Sequence, residues 1–526
     1  MSKAAEMGKV SAKGSFHLLW GLVVSTVILS IATIFIARLL GSSLYGLYGI
    51  VLITPNLIGV FRDWGINSAM VRCTAQYRSE DRASEVRSIL ISGIIFEIAL
   101  GMALSIISFA LSGYLATNIF QRPGITSLIQ IASITILAGG LINAASAAFT
   151  GIEKMELNSI MIVCQAIIKT ILMITLVILG LGTSGAVIGY TVGTVIAGLI
   201  GIALVWTQYK NLPKLKNIKL EIKAYTKTML TYGTPLSLST IIGSFQTQFY
   251  NFLLPIFYLT NNSAIGNFGI ASTFVVLITF FATPITTMMF PAFSKLNPQK
   301  DKETLKNVFQ FSVKYASLLV VPVAALVMCL SQPAISTLFG KTYSTAPLFL
   351  ALLSINYIYP AFGSLSTGNF IIGQGKTTFY LYLTLITAVI GFPMGYILIL
   401  RIGILGLIVA SIVSAIPSTV IGLYWIKKHY ELTVDWRSSA KILLSSGIAA
   451  GSTYLLISEL AFSNWIKLII GIIFFAVVYV AAALLTQTID KYDIENLRGM
   501  TSEIGIIGKI FNRILNLLEK LMNLKP

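Results

Sequence analysis

Apolar runs of about 20 residues recur along nearly the whole chain, separated by short polar breaks. A run of that length crosses the ~30 Å hydrocarbon layer as a helix, because only a backbone that satisfies its own hydrogen bonds survives there. The pattern predicts spans at 16–37, 44–61, 89–113, 126–148, 159–181 and 184–206. A second set follows at 232–257, 264–291, 309–330, 346–368, 378–400 and 404–426, and two more at 440–459 and 464–487. The alternating pattern of barrel strands is absent. The chain therefore reads as an all-α polytopic membrane protein with about 14 transmembrane helices. Beyond 488 the pattern changes. Ile507, Ile510, Phe511, Ile514, Leu515, Leu518, Leu521 and Met522 fall on one helical face, and Lys509, Asn512, Arg513, Asn516 and Lys520 on the other. That predicts an amphipathic helix on the membrane surface or against a partner helix.

The pattern repeats. SLYGLYGI at 43–50 aligns with SAIGNFGI at 263–270, with both glycines in register. Asp81-Arg82 matches Asp301-Lys302, Gly151 and Lys154 match Gly373 and Lys376, and Gly182-x-x-Gly185 matches Gly403-x-x-Gly406. The offset stays close to 220 throughout. Six spans per half is an even number, so the halves share one orientation and form a parallel repeat about an axis along the membrane normal. The expected organisation is an N-tail (1–15), a first lobe (16–220), a second lobe (221–430), two extra helices (431–487) and the amphipathic tail (488–526). Intraspan prolines crowd the second lobe and predict bent helices there, especially in its first two spans. Gly189, Gly193, Ala197 and Gly201 form a stripe suited to close helix packing.

Charge sets the orientation. Only 11% of residues are charged, where a soluble domain carries roughly twice that. The net charge is +18, and 31 of the 37 basic residues fall in segments or at span ends on one side if both termini lie inside. This is the bias expected of cytoplasmic loops, so the excess needs no nucleic acid. The expected location is the cell membrane, with both termini cytoplasmic. The first run follows Lys3, Lys9 and Lys13, is too long for a signal peptide and lacks a cleavage pattern, so it reads as a retained span. Cys73, Cys164 and Cys329 are far apart, and His17 and His429 are isolated, which gives no metal spacing and no disulfide framework. No catalytic constellation is visible, and the outer loops are too short for an extracytoplasmic catalytic domain.

Ionisable residues inside spans carry the remaining information, since a mid-membrane charge faces a cavity or a partner. Glu97 in the third span and Lys169 in the fifth lie about 12 Å and 15 Å deep at 1.5 Å per residue. At similar depth in one lobe they are able to pair, which leaves two readings: a structural ion pair, or Lys169 as a cavity cation tuned by Glu97. Arg62, Asp63 and Arg72 sit at the inner mouth, and Arg38 and Arg401 at outer span ends. Each either snorkels or joins a guanidinium rim suited to phosphate. Gln246, Gln248 and Asn251 place polar groups in the seventh span, for sugars or for helix–helix contact.

Five passages, ARLLGSSLYGLYGI (37–50), DWGINSAMVR (63–72), GIEKMELNSI (151–160), YGTPLSLST (232–240) and FGKTYSTAPLFL (339–350), resemble the polysaccharide and oligosaccharide flippases of the multidrug/oligosaccharidyl-lipid/polysaccharide (MOP) exporter superfamily. The resemblance implies a two-lobed transporter that moves a polyprenyl-(pyro)phosphate-linked oligosaccharide from the inner to the outer leaflet by alternating access. It implies a lipid-linked oligosaccharide as partner, glycan-synthesis machinery nearby, a monomer as sufficient, no cofactor, and coupling to H+ or Na+ as an option. Lys169 and Arg38 best fit the cavity cations of such proteins. Many relatives carry an acidic residue in the seventh span, whereas 245–251 has none. A cation-coupled multidrug-type antiporter and a membrane enzyme or assembly protein of glycan synthesis are the alternative readings.

Overall fold

The computed structural model describes residues 3–211 and 222–488 together with Asp493, Arg498, Asn516 and Glu519, apart from the side chains of 3–17, 19, 235–236, 283–288 and 290–291. The expected amphipathic tail and most of the lysine-rich loop after Lys210 lie outside the described residues. Every regular element described is helical. In chain order these are α1 (Lys3–Gly59), α2 (Ile66–Ser79), α3 (Ala83–Tyr114), α4 (Thr126–Gly151), α5 (Met155–Leu176), α6 (Gly182–Asn211), α7 (Ile222–Phe257) and α8 (Asn262–Lys295). There follow α9 (Lys302–Cys329), α10 (Ser331–Leu338), α11 (Ala346–Ser354), α12 (Ser364–Gly373), α13 (Thr377–Ile402), α14 (Ile404–Tyr430), α15 (Trp436–Glu459) and α16 (Asn464–Leu485).

Among the described residues, ten stretches are long and apolar enough to cross a membrane, or eleven with the bent pair at 346–373. Two of the ten are too long for one passage. Trp20–Arg62 has 43 residues and Met155–Asn211 has 57. Each is broken by a glycine with a left-handed backbone, Gly41 (φ 68°) and Gly180 (φ 88°), a conformation that costs a side-chain-free residue nothing. Each half is close to the length of one span, and α7 contains the seventh expected span. Among the described residues a sharp break falls in the tenth span, within the proline-rich second half. It measures 56° at Gly363, just after the short turn carrying Pro360, while α7 and α8 each run as one continuous helix.

The chain forms two compact units. The first comprises Met1–Ile270, Leu338–Thr345 and Thr377–Ser414, and so draws helices from both halves of the repeat. Within it α5 packs on α6 and α1, α3 and α6 pack on α4, and α7 packs on α13 and against α1, α2 and α3. The small-residue stripe of α6 makes this closeness possible. A Cβ added at Gly189 would lie 2.6 Å from Met173 Cα, and one at Gly193 would lie 2.7 Å from Lys169 Cα. The second unit comprises Ala271–Thr337, Ala346–Lys376 and Ala415–Pro526, where α15 packs on α16 and α9. Its α9 carries Lys314, whose ammonium lies 2.6 Å from the buried carboxylate of Asp493.

The repeat is visible in the backbone. The turn after α4 is closed by Ile152 N–H to Ala148 O (2.9 Å), Glu153 N–H to Thr150 O (3.2 Å) and Lys154 N–H to Phe149 O (2.8 Å). The turn after α12 has the same three bonds 222 residues later. They are Gln374 to Phe370, Gly375 to Ile372 and Lys376 to Ile371, each 2.9 Å. Gly182 (φ 51°) and Gly403 (φ 63°) open the last helix of each half in the same way. A Cβ at Gly185 would lie 2.8 Å from the Leu176 backbone, and one at Gly406 would fall on the Leu398 carbonyl.

The two aligned SxxG segments, 43–46 and 263–266, also touch each other, inside the first unit. A Cβ at Gly46 would fall on the carbonyl oxygen of Asn262, and one at Gly266 on that of Ser42. The Ser42 and Ser263 hydroxyls share a hydrogen bond of 2.6 Å. Arg122 clasps the same corner. Its guanidinium donates to Asn262 Oδ1 (2.8 and 3.0 Å) and to the carbonyls of Phe120 (2.8 Å), Pro255 (3.1 Å) and Tyr258 (2.7 Å). Five bonds from one ion are needed because unmet backbone carbonyls at a membrane edge are costly. A second crossing joins Gly65 and Gly233, each of which would drive a Cβ into the other's backbone. We expect Gly46→Val or Gly266→Val to cost about 1–3 kcal/mol or more, read as a lower melting temperature in detergent. Gly49→Val, whose Cβ would meet nothing within 4 Å, should be close to neutral. A Ser42→Cys/Ser263→Cys pair should oxidise to a cross-linked peptide detectable by mass.

Candidate functional site

The site is built where α1 ends. A one-turn 3-10 helix at Val60–Arg62 carries the chain out of α1, and Asp63 then accepts the Gly65 N–H at 2.8 Å, setting the turn into α2. This places Arg62 beside the middle of α3 and α4. Its Nη1 donates to Ile136 O (3.1 Å), and its Nε lies 3.7 Å from Glu97 Oε2. Glu97 is fully buried, the Arg62 side chain is 17% exposed, and Asn67 in the first turn of α2 donates to Glu97 Oε1 at 2.7 Å. The room for this cluster comes from Gly139-Gly140 in α4. A Cβ at Gly139 would lie 2.6 Å from Arg62 Nη1, and one at Gly140 would lie 3.0 Å from Glu97 Oε2. Two adjacent glycines in mid-span cost helix propensity. Here they form the notch that seats an ion pair.

Arg62 also lines a cavity of about 540 Å³ within the first unit, inside the size range of small-ligand sites. Pro55, Asn56 and Asp63 join it from the first polypeptide stretch, Thr135 and Asn143 from α4, Gln165 from α5, Tyr190 and Thr194 from α6, and Thr240, Ser244 and Gln248 from α7. Most of its polar groups are neutral hydroxyls and amides. A smaller cavity of about 290 Å³ shares Asp63 and Asn143 and runs along α2 and α4 as far as Thr150. The segment that passes Gly46 reaches the large cavity at Pro55 and leaves it towards Gly65, so the two glycine crossings flank the cavity along this segment.

The seven candidate residues separate. Arg62 and Gln248 are in the cavity wall. Asn251 stands one turn away and donates to Gln248 Oε1 at 3.3 Å. Lys169 does not pair with Glu97. Its ammonium sits 3.5 Å from the centre of the Tyr190 ring, a cation–π seat on a ring whose face also lines the cavity. Arg62 is nearer to Glu97 because the chain turns sharply after α1, whereas equal depth along two helices says nothing about which faces meet. Gln246 points the other way on α7 and bonds Tyr250 Oη at 3.0 Å, in space left by Gly391 of α13. Arg38 lies far along the chain path, on the surface, with Nε donating to Leu338 O at 2.7 Å. Asn56, Asn143, Gln165, Tyr190 and Gly139-Gly140 were missed by sequence reasoning. The glycine pair and the mid-span amides at 143 and 165 were the available signal.

Residues 35–347 match the family described as polysaccharide biosynthesis protein. The chain is 23% identical over 323 residues to the probable low-salt glycan biosynthesis flippase Agl15 of Haloferax volcanii, over 60% of this chain and 65% of that relative's length. It is 23% identical over 410 residues to an uncharacterized membrane protein of Methanocaldococcus jannaschii, over 75% of this chain and 93% of that one. In fold it is similar to the lipid II flippase MurJ in an inward closed conformation, with a TM-score of 0.70, 16% identity, and coverage of 89% of this chain and 98% of that one. It is also similar to a multidrug resistance MATE family transporter of the MOP superfamily in an inward-facing conformation, with a TM-score of 0.63, 16% identity, and coverage of 79% and 98%. The fold is thus the all-helical fold of these transporters.

Removing one member of a buried ion pair costs about 3–5 kcal/mol, because the partner is left without a counter-charge. Arg62→Leu at pH 8 is expected to lose stability on that scale, and Arg62→Leu/Glu97→Gln to recover most of it. Melting curves of the two purified variants in detergent check this.

Proposed function

The chain belongs to the polysaccharide biosynthesis protein family, and on that premise we propose that it flips a polyprenyl-(pyro)phosphate-linked oligosaccharide from the inner to the outer leaflet by alternating access. The observation that carries the reading is Arg62, a guanidinium held at the wall of a cavity whose other polar lining is Asp63 and a set of hydroxyls and amides. A guanidinium meets two phosphate oxygens with two parallel N–H bonds. Asn56, Asn143, Gln165, Thr194 and Gln248 offer the donors and acceptors that sugar hydroxyls need. Lys169 contributes positive charge behind Tyr190 without occupying the cavity. The lipid tail stays in the bilayer while the head crosses. Both termini lie in the cytoplasm, a single chain suffices, and the substrate comes from glycan-synthesis enzymes at the inner face.

The test is the leaflet distribution of lipid-linked oligosaccharide in inverted membrane vesicles. Inner-leaflet lipid should accumulate when the protein is absent. Arg62→Ala should slow its movement by at least about tenfold, the scale of one lost charge-assisted bond, and Arg62→Lys should restore little of it. Unchanged leaflet distribution with reduced efflux of a small organic cation would overturn the reading in favour of an antiporter. Altered glycan length with unchanged transport would overturn it in favour of a synthetic enzyme.

A further inference from the structure

Glu97 is fully buried and its bonding is unfinished. Oε1 takes the hydrogen bond from Asn67, whereas Oε2 accepts none, and the facing Nε of Arg62 donates none across 3.7 Å. The pair is held by charge without a direct hydrogen bond, and Arg62 keeps a second face toward the cavity. Few other charges act on the carboxylate. The turn after α1 supplies Arg62 and Asp63. Neither α4 nor α7 from Gly233 onward has an Asp, Glu, His, Lys or Arg, α1 has none between Arg38 and Arg62, α2 has none before Arg72, and α3 has none closer than Arg87. Lys169 is seated on Tyr190 instead.

Resting on the flippase reading, we propose that Glu97 is the protonation site linked to binding of the anionic head group. A phosphate in the cavity takes the guanidinium of Arg62 in bidentate fashion. Glu97 then faces Gly140 without a counter-charge in a site closed to water, where an unpaired carboxylate is not tolerated. An O–H bond forms at Oε2 with a proton drawn from bulk solvent through the cavity. Before binding, the carboxylate and guanidinium sum to zero. After binding, one phosphate charge and the guanidinium sum to zero beside a neutral acid. The head group and one proton therefore bind together, each raising the affinity for the other.

The experiment uses the full chain in lipid nanodiscs, with farnesyl pyrophosphate as the lipid probe and inorganic pyrophosphate as the free anion. Calorimetry in two buffers of different ionisation heat counts protons taken up per probe bound. The wild type should take up close to one proton more than Glu97→Gln. Between pH 8 and pH 6 its affinity should rise relative to Glu97→Gln by up to about tenfold per unit, the limit for one linked proton. Uptake with farnesyl pyrophosphate alone, or with both probes, supports the assignment and tells a lipid from a free anion. Infrared difference spectra of the wild type give a second reading independent of the variant's folding: a protonated-carboxyl band should appear on probe binding. Equal proton counts in the two proteins, or no such band, would overturn the assignment alone. No binding of either probe would overturn the flippase reading together with it.

Discussion

An arginine inside a helical membrane protein must be paid for by its neighbours, and here Arg62, Glu97, Asn67 and the Gly139-Gly140 notch form one unit. The cation needs the carboxylate, the carboxylate needs the amide of α2, and both need a stretch of α4 with no side chains. The arrangement ties the end of α1, the start of α2 and the middles of α3 and α4 together. It also fixes one guanidinium at the edge of a polar cavity. In a low-dielectric setting this pairing is what allows a positive group to stand ready for an anion without a prohibitive desolvation cost.

Close approach of backbones supports the rest. Gly46 against Asn262, Gly266 against Ser42, and Gly65 against Gly233 bring segments of both sequence halves within reach of each other inside one compact unit. No apolar driving force separates helix–helix from helix–lipid contact in a bilayer, so small residues and interhelical hydrogen bonds have to hold these crossings. The Ser42–Ser263 bond and the five bonds of Arg122 do so at one end.

Much of this was legible in the sequence. Span positions follow from hydropathy because a membrane leaves a chain few alternatives. The repeat was readable from glycines such as 46 and 266, or 182 and 403, because a backbone contact or a positive φ tolerates no other residue. The ion pair was legible only in part. Depth along a helix can be counted from sequence, and it put Glu97 and Lys169 level. The face of each helix, however, is set by packing, and the turn at Val60–Arg62 brought a different cation to Glu97. For the same reason sequence left Gln246 open between sugar contact and helix–helix contact, and α7 presents it to α13, which is the second. The prolines pointed to bending in the second half, but proline count does not say where a kink is absorbed. Gly363, with its left-handed backbone, absorbs it.

The central claim is that the head group travels through the cavity beside Arg62. The most direct measurement places a photo-reactive amino acid at Gln165 in the cavity wall and, separately, at the lipid-facing Val477 of α16, which is 62% exposed. Membranes containing sugar-labelled lipid-linked oligosaccharide are then illuminated. The account predicts sugar label on the protein from position 165 and none from position 477. Label from 477 alone, or from neither position while lipid still changes leaflet, would contradict it.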